Sequence, residues 1–431
     1  AATGVNLHQT WHTPVELRAD TPLTTELIYF PMHRSEVHPA WVVVIAEQGI
    51  GNTYEITVDA LDGTILRRVN HLLFAGGNEA LNVNVFPLDS PAPGSPGTAV
   101  PNGFQFPLVS RQLITVPGAT TGSPEGWIPD GANETLGNNV DAHTDTDGNN
   151  APDLPRPQGS PYRVFDFALD LNQAPSAYRD AAVTQLFFYC NSIHDILYGF
   201  GFDEAASNFQ SNNFGLGGVG NDPVLADAQD GSGTNNANWN GSGTDGTTTR
   251  IQMFVFTGPN PDRDGDFDGD VVYHEYVHGL SFRLSGGTVF GEQSGGMGEG
   301  WGDFFGLCIS SEPGDDPDAV YPMGGYITKD FFGGTDNYYF GIRRYPFSTD
   351  FSKSPLTYAD LDPAQFVIPG GVPNNSLFIN NPADEVHNVG EIWAQALLEC
   401  RAELWNGGMG FAANDLIMQL VVDGMKLMPS N

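Results

Sequence analysis

The chain has 431 residues, 40% of them apolar, and a formal net charge of −35 from 52 acidic against 17 basic residues. That length asks for two or three domains, and that charge argues against nucleic acid and anionic membrane as partners, because both would be repelled. No stretch reaches the ~20 apolar residues needed to span a bilayer, and three cysteines (Cys190, Cys308, Cys400) are too few for a disulfide scaffold.

Residues 24 to 70 alternate like strands. Glu26 to Phe30, Ala40 to Ile45 and Tyr54 to Val58 carry β-branched and aromatic residues. Asp62-Gly63 is a hairpin-type turn between Thr57-Val58 and Ile65-Leu66. A small sheet domain is expected here, ending near Ala75-Gly76-Gly77, with the glycines as a candidate processing site. Residues 88 to 103 are rich in Pro, Gly and Ser and read as an exposed connection. Residues 104 to 260 are rich in Gly, Asn and Asp. Within them Tyr178 to Phe200 shows helical spacing (Ala182, Leu186, Phe187, Ile193, Leu197). Residues 205 to 247 read as loops and Arg250 to Phe256 as a strand. Helices are expected at 270–284, 296–311, 386–405 and 411–427. The fold class is α+β: a domain at 1–76, a β-rich lobe at 77–269 and a helical lobe at 270–431. Cys190 and Cys308 follow apolar runs and read as buried, inert thiols.

Residues 274 to 278 read His-Glu-Tyr-Val-His, an H-E-x-x-H motif. A helix turns about 100° per residue, so His274 and His278 share one face and can hold one metal ion. Glu275, one step round, reaches a water on that metal but is poorly aimed to ligate. Glu299 supplies a third ligand, and Asp303, four residues on, shares its helix face. Three such ligands with an open fourth position suit catalytic zinc, which lowers the pKa of its water toward about 7. Glu275 then serves as general base, and Asp303 accepts a hydrogen bond from the far nitrogen of a ligating histidine. Glycines 295, 296, 298 and 300 are expected to bring the second helix close to the first. His387, in Asp-Glu-Val-His-Asn, reads as a capping or core histidine by itself; beside the metal motif it would supply a donor to a carbonyl oxygen as it turns negative, with Asp384 or Glu385 to orient it.

Other acidic runs are weaker. Asp264, Asp266 and Asp268 with Glu275 satisfy an EF-hand spacing, yet Glu275 cannot both clamp calcium and serve the zinc water. Asp145, Asp147 and Asn149, with Asp141 and Asp153 nearby, are a candidate calcium site; a polar turn explains them equally well. Arg343 and Arg344 offer a guanidinium to a substrate carbonyl or to a structural ion pair. His194-Asp195 reads as structural.

Three blocks resemble the fungalysins, secreted zinc metalloendopeptidases of the thermolysin-like group: His-Glu-Tyr-Val-His-Gly-Leu-Ser (274–281), Ser-Gly-Gly-Met-Gly-Glu-Gly-Trp-Gly-Asp (294–303) and Val-His-Asn-Val-Gly-Glu-Ile-Trp-Ala (386–394). Phe209-Gln210 to Asn213-Phe214, Asn235-Asn236-Ala237-Asn238 and Arg343-Arg344-Tyr345-Pro346 extend the likeness. It implies a thermolysin-like fold of two lobes with the H-E-x-x-H helix between them. It implies His274, His278 and Glu299 as zinc ligands, Glu275 as general base and His387 as transition-state stabiliser. Asn236 and Ala237 would lie on the edge strand that pairs with substrate, and cleavage would fall on the amino side of apolar residues. Residues 1 to about 76 resemble the end of an inhibitory propeptide, through Trp41, Tyr54 and Asp62-Gly63, so a zymogen or a retained prodomain is expected as a partner. Protein or peptide substrates and an extracellular setting follow. Gly302 stands where the family usually has Ser, with little effect expected. The start at Ala-Ala-Thr fits signal removal or trimming alike. The end at Asn431, short of the family's further helices, points to trimming. An inactive binding protein that keeps the fold would show loss of Glu275 or of a ligand, and all are present.

Overall fold

The computed structural model describes residues 8–11, 23–33, 36–46, 53–70 and 78–428, apart from Thr288, Phe290 and Thr335. Gly76-Gly77 lies outside the described residues, as do Pro429 to Asn431. Two compact units form, Ala1–Glu79 with Pro117–Gly126, and Ala80–Val116 with Trp127–Asn431. The protein is a mixed α/β structure of several sheets and helices.

The first unit holds a five-stranded antiparallel meander: β1 (His8–Trp11), β2 (Leu23–His33), β3 (Glu36–Ala46), β4 (Thr53–Asp59) and β5 (Ile65–Asn70). The β4–β5 turn is made by side chains bonding their own backbone. Asp59 accepts from Leu61 N at 2.7 Å and Asp62 from Thr64 N at 2.9 Å, and Gly63 takes φ +82. Nothing lies within 4 Å of a Cβ added at Gly63. Backbone conformation, not crowding, is what calls for glycine there.

The second unit opens with a three-stranded sheet of order β7-β6-β9, made by β6 (Leu81–Val85), β7 (Gln112–Val116) and β9 (Val164–Phe165). A four-stranded sheet follows, from β8 (Val140–Thr144), β10 (Val224–Ala228), β11 (Ala237–Asn240) and β12 (Thr249–Met253). Its order is β11-β12-β10-β8; β8, β10 and β12 run parallel, and β11 is the antiparallel edge strand. The expected strand at 250–256 is interrupted at Phe254, so that β13 (Val255–Phe256) pairs instead with β14 (Arg263–Asp264). Helix α1 (Arg179–Gly199) packs on β6, β8, β10 and α2 at once. That explains why it is buried almost all round rather than along one stripe.

The C-terminal third is helical: α2 (Gly269–Leu284), α3 (Glu292–Ile309), the single turn α4 (Asn337–Phe340), α5 (Val386–Leu404) and α6 (Ala412–Lys426). Helix α3 begins four residues before its expected start. Three of its four expected glycines, Gly295, Gly296 and Gly300, face α5 and not α2. Cβ atoms at Gly296 and Gly300 would meet Val389 and Gly390 of α5, at 2.2 and 2.6 Å. Gly298, with His278 Nδ1 3.9 Å from its Cβ position, faces α2 as expected, and Gly302 and Gly306 face it too. The expected exposed connection at 88–103 is corrected in its first half: Asp89, Ser90, Ala92 and Gly94 are buried. The Asp89 carboxylate caps Ser90 N and Gly94 N, and the Asp89 carbonyl accepts from Gly269 N, so the segment packs over the start of α2. Turn-rich composition reports local bends and not exposure. Cys190 and Cys308 are buried, Cys400 is exposed, and all three thiols are free.

Candidate active site

Three helices bring the expected residues to one place. Helix α2 presents His274, Glu275 and His278, α3 presents Glu299 and Asp303, and α5 presents His387. One ligating atom from each of His274, His278 and Glu299 lies within 4.8 Å of the others. His274 Nε2 is 3.1 Å from Glu299 Oε2, and His278 Nε2 is 3.6 Å from Glu299 Oε1. The imidazoles stand edge to face with centroids 4.8 Å apart. Two imidazole nitrogens and a carboxylate oxygen, all aimed inward, are a donor set that fits zinc.

The surrounding hydrogen bonds fix that set. His274 Nδ1 meets Asp303 Oδ1 at 2.8 Å, leaving Nε2 for a metal. Asp303 is itself held by Arg343, whose Nε and Nη2 each donate at 2.6 Å. Burial works against the His274 cation, but the bonds to Asp303 and Glu299 outweigh it and raise its pKa to about 10. Burial pushes His278 down to about 4 and Glu275 up to about 7. His387 is over half exposed. Its Nε2 lies 3.4 Å from Glu299 Oε2, and its Nδ1 lies 2.6 Å from Glu385 Oε1. Glu385, the N-cap of α5, is therefore the carboxylate that orients His387, and Asp384 is not.

A cleft of about 310 Å³ borders these groups, with His274, Glu275, Arg343, Glu385 and His387 in its lining. Asn236 and Ala237 line it too, where edge strand β11 begins. Its apolar side is made by Val271, Met323, Ile327, Ile342 and Phe378. These wall residues come from segments a hundred residues apart, and no local signal in the sequence marks them. Arg343 reaches the cleft while holding Asp303, and Arg344 is taken by Glu391 (Nε to Oε2, 2.7 Å) and Asn388 O.

The candidate calcium residues do not converge. Asp141 is gripped by Arg156 (2.7 and 2.8 Å) and lies 3.0 Å from His143. Asp147 accepts from Asn149, and Asp153 from Thr146. Asp145 turns instead toward Asp227 and Asp230, residues that sequence spacing could not associate with it. Arg250 and His143 already pair with Asp227, and Gln252 with Asp230. His194 bonds Asp195, which accepts from Trp127, as a structural pair.

Residues 98–431 match the family model described as fungalysin metallopeptidase. The chain belongs to the fungalysin family. This fungalysin is 40% identical over 347 residues to the extracellular metalloproteinase mep of Aspergillus flavus, covering 74% of the chain and 50% of that protein. It is 41% identical over 348 residues to the mep protein of Aspergillus terreus, covering 75% and 50%. To extracellular metalloproteinase 2 of Trichophyton rubrum it is 39% identical over 339 residues, covering 72% and 48%. The chain thus spans about half the length of the curated relatives it matches. None of its described helices is long and apolar enough to cross a membrane.

Proposed function

We propose that this fungalysin is an extracellular zinc endopeptidase that cuts protein or peptide substrates on the amino side of apolar residues. The observation that carries this reading is the convergence of His274, His278 and Glu299 beside a cleft that Glu275 lines. Zinc held there supplies Lewis-acid polarisation of water and carbonyl. Glu275, with its pKa near neutrality, takes the proton of the attacking water and returns it to the leaving amine. His387, held by Glu385, donates from Nε2 to the carbonyl oxygen as negative charge grows there. Edge strand β11 offers unpaired backbone groups to an extended peptide. The apolar wall from Val271 to Phe378 takes the side chain that follows the scissile bond.

The test is casein hydrolysis with and without a chelator, alongside Glu275→Gln. Both treatments should abolish activity, and activity surviving both would sink the mechanism. The lobes of this reading are 77–269 and 270–431, arranged as in thermolysin-like proteases, with residues 1–76 as an inhibitory prodomain. Limited proteolysis near Gly76 should then raise activity; no gain on cleavage counts against inhibition.

A further inference from the structure

Arg343 and Arg344 are adjacent and both buried, yet each grips a different helix. Arg343 gives Nε and Nη2 to the two carboxylate oxygens of Asp303 on α3, at 2.6 Å each. Arg344 gives Nε to Glu391 Oε2 on α5 at 2.7 Å, and its own backbone N–H to Glu391 Oε1. Its Nη2 donates at 2.7 Å to Asn388 O, in the first turn of α5. The two carboxylates hold matching positions. Asp303 lies four residues after Glu299, and Glu391 lies four residues after His387. Residues at that spacing share a helix face. Each arginine therefore closes on its helix one turn beyond the residue that serves the site. Between the helices, His387 Nε2 stands 3.4 Å from Glu299 Oε2.

Stability alone is a poor reason for such a clasp. Taking two charges out of water offsets most of what their attraction gains, and the better-attested use of a buried pair is to fix one arrangement against others. A guanidinium suits that use, because its planar fork sets direction as well as distance. The backbone between the helices is itself anchored. Asn375, also buried, donates its N–H to Arg344 O at 2.9 Å and its Nδ2 to Gly341 O at 3.1 Å. Ile342 N donates to Met323 O at 2.9 Å, which ties the same segment to the cleft wall.

We propose that Arg344 and Glu391 are positioning residues: with Arg343 they lock α5 in register with α3, and so hold His387 in place beside Glu299. The use of His387 on a carbonyl oxygen rests on the function proposed above. A misplacement of about 1 Å in a group that acts on the transition state costs up to about 100-fold in rate. A slip of α5 along α3 is therefore felt in kcat even where the fold survives it.

The experiment places Arg344→Lys in the full chain and, separately, in His387→Ala. Lysine keeps the charge and loses the fork. On a peptide with an apolar residue after the scissile bond, Arg344→Lys alone should lower kcat about tenfold and leave KM within about twofold. In His387→Ala it should change kcat by less than about twofold, because the group it positions is already gone. Equal losses of kcat in the two backgrounds overturn the proposal, and so does an unchanged kcat in the first. Hydrogen exchange reads the clasp without catalysis. Amides of residues 386–390 should exchange about tenfold faster in Arg344→Lys, with those of 300–306 unchanged. Exchange that stays the same at 386–390, or quickens equally in both helices, overturns the proposal as well. Should Arg344→Lys not fold, Arg344→Met with Glu391→Leu replaces the pair by apolar side chains of similar size and enters the same comparison. A wild type without chelator-sensitive hydrolysis would sink the protease reading, while the exchange result would still judge the clasp.

Discussion

Gly302 shows how one residue shapes the candidate metal centre. A Cβ there would stand 2.5 to 2.8 Å from three atoms of the His274 ring. Sequence comparison alone expects little effect from glycine in place of the family's serine. The geometry makes Gly302 the clearance that lets α3 lie against an imidazole already pinned by Asp303. Gly302→Ser should therefore shift His274 and weaken zinc binding by about tenfold or more, the usual cost of disturbing a group that orients a ligand. Competition with a chelator measures this directly. An unchanged zinc affinity would show that ring and helix yield without cost.

Between elements, the contact of α3 with α5 brings Glu299, on one helix, to His387, on the other. Glycines on both sides allow the close approach. A Cβ at Gly390 would meet Glu299 Cβ at 2.6 Å and Gly300 N at 2.9 Å. Both obstacles belong to a helix backbone or its first side-chain atom, which cannot swing away. Gly390→Ala is expected to lose about 1–3 kcal/mol of stability as overpacking strain. The thermal midpoint should drop, and an unaltered midpoint would mean the helices are spaced more loosely than this. Helix existence in this region was readable from apolar spacing. The start of α3 at Glu292 was not, because its first turn, Glu-Gln-Ser-Gly, is largely exposed and carries no apolar signal.

At the scale of the molecule, charge dominates. A net charge of −35 puts the folded state under self-repulsion. Added salt screens it, with a Debye length of about 30 Å at 0.01 M shrinking to about 3 Å at 1 M. The thermal midpoint should rise with sodium chloride over that range; a falling midpoint would mean that ion pairs such as Arg283–Asp222 and Arg344–Glu391 outweigh the repulsion. Much of the site was legible beforehand. Helical periodicity decides that His274 and His278 share a face, and that Asp303 shares one with Glu299, whatever the rest of the chain does. The chemistry of imidazole and carboxylate follows from residue type. Only the tertiary structure decided that Asp145 meets Asp227 and Asp230, that Arg343 holds Asp303, that Glu385 rather than Asp384 orients His387, and that residues 89–92 are buried. Those facts depend on which surfaces pack across long separations in the chain. Local patterning carries a residue's periodicity and chemistry, but not the identity of a distant neighbour.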